Sequence, residues 1–121
     1  MRDLIKDNLS QKRSKGLFYG KDWNIQKVNK IIKYEDYDNR IELDSIGLKG
    51  DHQLINAGMC IASLKFLQKE GRIEVNDHQI KDGIAKTSWP GRLMQLSGEL
   101  KKINNSGCDI WVDGCHNPAG S

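Results

Sequence analysis

Apolar and polar positions change period partway along this 121-residue chain, from an alternation of two in its first part to helical spacing in its middle. Residues 1–15 are polar, closing in Ser10-Gln11-Lys12-Arg13-Ser14-Lys15, and are expected to be a frayed helix or a flexible leader. Gly16-Leu17-Phe18-Tyr19-Gly20 is a first candidate strand, and Trp23 with Ile25 marks a second. Val28, Ile31, Ile32 and Tyr34 then lead into an Asp38-Asn39 pair lying between two alternating stretches, which predicts a turn and antiparallel pairing. Ile41 and Leu43 alternate with Glu42 and Asp44 before Gly47-Leu48-Lys49-Gly50 interrupts the pattern.

The next stretch reads as the strongest helix. Ile55, Met59, Ala62 and Phe66 recur near helical spacing, and Leu54, Ile61, Leu64 and Leu67 widen the apolar face, so the helix is expected to be largely buried. Asp51 is its expected N-cap and Gly71 its left-handed stop. A second helix starts at Asn76, with Gln79 completing a capping box and Val75 placed to staple against Ile80. It must end before Trp89-Pro90, because the residue before proline resists helical dihedrals. Residues 93–97 alternate as a strand, and 108–112 read as a buried closing strand stopped by Asp113-Gly114. The order is short antiparallel strands, then helix, helix, strand, strand. That is an α/β domain, with the helices and final strands expected to cover one face of a sheet.

Composition narrows the picture only slightly. A 37% hydrophobic and 29% charged chain is globular, without a bilayer-length apolar run or a signal peptide at its start, so a cytoplasmic location is the default and no membrane partner is expected. The net charge of +3 hides an asymmetry, since residues 1–33 carry nine Lys/Arg against three Asp. No stacking aromatics or reader module accompany those charges, so nucleic acid is not expected as a partner. Cys60, Cys108 and Cys115 fit no zinc or disulfide framework and are expected to be reduced, mostly buried thiols. Gly16 to Asp22 has the wrong spacing and end residue for a phosphate-binding loop, and Cys108, Cys115 and His116 lack a fourth metal donor.

Four places carry candidate chemistry. Asn56 sits one turn into the buried helix, where its amide either satisfies a neighbouring backbone group or reads a planar ring edge such as adenine. His52, in the first turn, reads as a capping or packing histidine. Arg92 leaves the rigid turn Trp89-Pro90-Gly91-Arg92, which suits a guanidinium held against phosphate oxygens, although a surface arginine would look the same. Asp113 and His116 lie in a turn beyond a strand end, where a carboxylate can accept bonds from ribose hydroxyls or simply shape the turn.

Taken in register, Gly50-Asp51-His52-Gln53-Leu54-Ile55-Asn56-Ala57, Trp89-Pro90-Gly91-Arg92-Leu93 and Asp113-Gly114-Cys115-His116-Asn117-Pro118 resemble the folylpolyglutamate synthase/dihydrofolate synthase family of the Mur ligase superfamily. The resemblance covers residues 16–121, which look like the second half of the family's central, three-layer ATP-binding domain. It implies an ATP- and Mg2+-dependent ligase that activates a carboxylate as an acyl phosphate for attack by an amine, with folate and glutamate as partners. By resemblance Asn56 matches the asparagine near the nucleotide base, Arg92 the arginine on the phosphates, Asp113 the acid on the ribose and His116 the neighbouring histidine. Cys115 stands where the family has alanine.

The resemblance assigns no catalytic residue and no metal ligand. The family's phosphate-binding loop, its magnesium-holding glutamate and histidine, and its C-terminal domain have no counterpart in these residues. The expectation is therefore a truncated or split ligase that keeps part of the nucleotide site and is inactive alone, with a separately encoded N-terminal half as a candidate partner. The alternatives are a non-catalytic remnant or interaction module, which would expose apolar surface, and a piece of a cell-wall peptide ligase of the same superfamily.

Overall fold

The computed structural model describes residues 2–12, 14–92, 94–98, 102 and 107–114. Strands β1 (Trp23–Val28), β2 (Ile31–Asp36) and β3 (Arg40–Leu43) form an antiparallel meander in sequence order. Its register sets Ile25 opposite Tyr34, Tyr34 opposite Ile41 and Ile32 opposite Leu43. Period-two alternation therefore sends Trp23, Ile25, Ile32, Tyr34, Ile41 and Leu43 to one face, where all six are buried. The opposite face carries polar side chains, among them the cross-strand ion pair Lys33–Glu42 at 3.2 Å. Each buried side chain of this size contributes about 1.5–3 kcal/mol, whereas an exposed ion pair contributes about 0–1, so the inward face decides the fold.

The β2–β3 turn is held by one carboxylate. Asp36 accepts from the hydroxyl of Tyr34 at 2.7 Å, from the backbone amides of Asp38 and Asn39 at 2.9 and 2.8 Å, and from Asn39 Nδ2 at 2.8 Å. Burial pushes this carboxyl up, but those donors outweigh burial and hold it below the usual carboxylate range. Burial, reinforced by bonding to Asp36, pushes the Tyr34 phenol upward.

Helix α2 (Asp51–Lys69) and helix α3 (Asp77–Lys86) share one core with the sheet, through Ala57, Ile61 and Ala62 of the first and Ile80 and Ile84 of the second. The face that α2 buries includes the expected Ile61 and Ala62 but departs from the expected stripe at Ile55 and Met59. Gln53, Ala57, Gly58, Ile61 and Ala62 are buried, while Ile55 and Met59 are 43% and 55% exposed. The cause is close approach: a Cβ on Gly58 would lie 2.5 Å from Trp23 Cζ3 and 2.7 Å from Ile25 Cγ2, so no side chain fits at position 58 against β1. The N-cap of α2 is Gly50, at φ 111°, and not Asp51, which is the first helical residue. The capping box at α3 forms as the sequence predicts, with Asn76 and Gln79 bonded reciprocally at 2.9 Å.

Residues 2–11 form helix α1 (Arg2–Gln11). The expected strand at 16–20 is absent apart from a single bridge between Tyr19 and Trp23. The last two strands, β4 (Met94–Gln95) and β5 (Trp111–Val112), do not cover the sheet but pair with each other as a separate antiparallel ribbon. Consequently the closing strand is not buried, with Ile110, Trp111 and Val112 at 42%, 44% and 38% exposure. Cys60 and Cys108 are exposed thiols, against the expectation of burial, and Cys115 lies outside the described residues. Among the described residues no helix is long and apolar enough to cross a membrane.

Candidate nucleotide site

Two turns build the centre of the site. In Trp89-Pro90-Gly91-Arg92, proline fixes one dihedral and Gly91 takes φ 74°, so the turn closes with the Arg92 amide donating to the Trp89 carbonyl at 3.3 Å. Proline second and positive-φ glycine third is the sequence order of a type II turn. The second, expected as a turn from Asp113-Gly114, follows β5, which ends at Val112; the described residues reach Gly114. The Gly114 amide donates to the Gly91 carbonyl at 2.6 Å, which joins the two turns directly. Position 114 has little room, since a Cβ there would lie 3.2 Å from that same carbonyl oxygen.

The ribbon behind the turns sets their register. Met94 pairs with Val112 and Gln95 with Trp111, and the Leu96 amide donates to the Ile110 carbonyl at 2.8 Å. Arg92 and Asp113 thus emerge from facing turns at the same end of one ribbon, and both are exposed. Among the described residues neither is engaged by another side chain, so a guanidinium and a carboxylate stand ready for a polar ligand. His116, the fourth expected residue, lies outside the described residues.

Asn56 is placed differently. It is exposed on α2, and its Nδ2 donates to Gln53 Oε1 at 3.0 Å, while Gln53 Nε2 lies 2.9 Å from His52 Nε2. Its partner is therefore a buried side-chain amide and not a backbone group. No hydrogen bond joins Asn56 to either turn among the described residues. One link between the start of α2 and the ribbon, among the described residues, is Lys49, directly before the Gly50 cap, whose Nζ sits 4.1 Å from the centroid of the Trp111 ring.

Sequence reasoning missed Gln53 and Lys49 as members of this region. The spacing of three between Gln53 and Asn56, one helical turn, was the available signal for the first. Nothing local signals the second, because Lys49 and Trp111 meet only through the fold. Among the described residues no three His, Cys, Asp or Glu side chains cluster so as to hold a metal ion, and none is assigned to magnesium. A cavity of about 760 Å³ opens elsewhere, between residues 15–24, the β2–β3 turn and the end of α2. Several charged groups at its rim are paired, as in Lys69 with Asp38 at 2.6 Å and Lys65 with Asp77 at 2.6 Å, and it is remote in sequence from residues 89–92 and 113–114.

Comparison with known proteins places this geometry in context. No family model matches the chain. It is 30% identical to a dihydrofolate synthetase of Saccharomyces cerevisiae over 76 residues, which is 63% of this chain and 18% of that protein. It is 30% identical to a folylpolyglutamate synthase of Lacticaseibacillus casei over 112 residues, 88% of this chain and 24% of that protein. In structure it superposes on Escherichia coli FolC in complex with DHPP and ADP with a TM-score of 0.75, at 23% identity, over 98% of this chain and 25% of that one. The chain thus spans less than a quarter of the length of the curated relatives it matches here.

Proposed function

We propose, from the premise that this chain is related to part of the folylpolyglutamate synthase/dihydrofolate synthase family, that it carries the base, ribose and part of the phosphate contacts of an ATP-dependent ligase. The observation that carries this reading is the 2.6 Å hydrogen bond from Gly114 to Gly91, which holds the arginine turn and the aspartate turn together. Bound ATP would supply the phosphoryl group that makes a carboxylate reactive toward an amine. The chain's own residues bind and orient it. Arg92 presents a planar fork of donors to phosphate oxygens, Asp113 accepts from ribose hydroxyls, and Asn56 reads the base edge from α2. His116 belongs to the same turn by sequence. The side chains suit a nucleotide, because among the described residues a cation and an anion leave one ribbon end with no side-chain partner.

Folate and glutamate are the proposed substrates of the complete ligase, with Mg2+ held by residues outside this set. The 121-residue polypeptide is proposed to bind nucleotide but to be inactive alone, since phosphoryl transfer depends on positioning and on metal and lysine stabilisation of developing charge. A separately encoded N-terminal half would restore those groups. Calorimetric titration with ADP tests the binding claim: Arg92→Ala and Asp113→Asn should each weaken binding about tenfold or more, the loss of a charge-assisted bond. Unchanged affinity in both variants would remove the assignment. A parallel assay for glutamate addition to folate should give no turnover, and robust turnover would overturn the claim of inactivity.

The exposure of Ile55, Met59, Met94, Ile110, Trp111 and Val112 favours a second reading, that the chain is an interaction module whose apolar side chains meet further polypeptide. It predicts concentration-dependent association in light scattering. A monodisperse monomer across the accessible concentration range would count against it.

A further inference from the structure

The polar chain at the start of α2 has two self-consistent orientations, and they present different atoms to a ligand. In the one the structure holds, Gln53 Nε2 lies 2.9 Å from His52 Nε2 and Asn56 Nδ2 donates to Gln53 Oε1 at 3.0 Å. Gln53 is only 5% exposed, so its amide depends on these two partners. A side-chain NH2 group only donates, so His52 Nε2 must be bare to accept from it. Asn56 then has its Oδ1 and one N–H left over. Adenine places an amino donor beside the N7 acceptor, and that remaining pair is complementary to both.

The reverse orientation follows if His52 Nε2 carries a proton. Gln53 would turn Oε1 toward the imidazole and Nε2 toward Asn56, and Asn56 would turn Oδ1 inward. Its NH2 group would then face the adenine amino group, donor against donor, and would suit the O6 acceptor of hypoxanthine instead. Space for the imidazole comes from the helix cap, since a Cβ on Gly50 would lie 2.8 Å from His52 Cε1.

We propose that Gln53 is a positioning residue for Asn56 and that His52, through a bare Nε2, sets the direction of the pair so that the start of α2 selects adenine over hypoxanthine. The proposal rests on the nucleotide-site reading above and adds what in this chain chooses the base. It is tested on the 121-residue chain by ADP and IDP titrations of wild type, Gln53→Leu and Gln53→Glu, with 15N NMR of the His52 ring. Wild type should show a bare Nε2 and prefer ADP by about tenfold, the discrimination of one good bidentate contact. Gln53→Leu should bring the ADP-to-IDP ratio toward unity. Gln53→Glu, whose carboxylate still accepts from Asn56, should keep the preference. A purely structural role for Gln53 predicts the opposite ranking, because leucine suits a buried site better than a carboxylate.

If wild type binds neither nucleotide, the nucleotide-site reading falls and this inference with it. If it binds both and Gln53→Leu keeps the wild-type ratio, only the positioning role falls. A protonated Nε2 in wild type at neutral pH also sinks the positioning role, independently of any affinity. Should Gln53→Leu fail to fold, loss of preference in Gln53→Glu overturns the proposal and retention supports it.

Discussion

Residues 23–86 and residues 89–114 are held together in opposite ways. In the first region the sheet and two helices bury eleven apolar residues in one cluster, from Trp23 to Ile84. In the second, among the described residues, a ribbon of two two-residue strands leaves Trp111 and Val112 44% and 38% exposed, and its links include a short ladder, one bond between Gly114 and Gly91 and one cation over a ring. The candidate ligand groups Arg92 and Asp113 sit on the lightly held region, and Asn56 on the heavily held one. The described part of the ribbon buries less apolar surface than the core, so the two parts of the candidate site are expected to differ in local stability.

The contrast can be broken from either side. Ile61 is fully buried, so Ile61→Ala should cost about 2–5 kcal/mol and lower the midpoint of urea unfolding for the whole chain. A loss well below 1 kcal/mol would mean the core is not the single cooperative unit described. Next in size is the β2–β3 turn, where Asp36→Asn should cost about 1–3 kcal/mol at neutral pH because several donors lose their charged acceptor. The same residue sets an acid limit. Its folded pKa lies below the unfolded value of about 4, so its contribution is complete above that pH and is lost as pH falls through the folded value. Stability measured from pH 6 downward should therefore drop more steeply in wild type than in the Asn variant.

On the ribbon side, Gly91→Ala puts a side chain at φ 74°, a strain of about 1–2 kcal/mol. It should weaken ADP binding by about tenfold, the equivalent of 1.4 kcal/mol, while leaving the urea midpoint of the core nearly unchanged. A matching fall in global stability would show that the two regions unfold together. The smallest effect is expected from Lys49→Met, which removes the cation over Trp111, worth about 0.5–1 kcal/mol at an exposed site. Faster amide exchange at residues 94–96, with exchange at 32–43 unaltered, is the result that would sharpen the distinction.

Much of the heavily held region was legible in the sequence because its signals are local. The alternation across 23–43, the Asp38-Asn39 turn and the Asn76–Gln79 capping box each need only near neighbours, and each is present. The buried face of α2 was partly misread because apolar residues surround the helix broadly. Periodicity then favours the large side chains Ile55 and Met59, whereas the 2.5 Å limit at Gly58 admits no side chain at that position. The Pro90-Gly91 turn of the candidate site was also legible, as was the end of the last strand at Asp113-Gly114, while the rest of the expected turn lies outside the described residues. Their junction was not, because a bond between residues 91 and 114 spans a distance that no local pattern encodes. Burial of 110–112 was overestimated for a related reason: an apolar triplet looks the same in a covered sheet and in an uncovered ribbon.

Gly58 touches no part of the candidate site, yet it sets the height at which α2 rides over β1, and Asn56 lies two residues before it on the same rigid rod. A methyl group at position 58 would have to lift the helix or displace Trp23 and Ile25, and lifting the helix would carry the Asn56 amide away from its resting place. The height of Asn56 over the sheet is in this sense calibrated from beneath, by the absence of one carbon atom in the core.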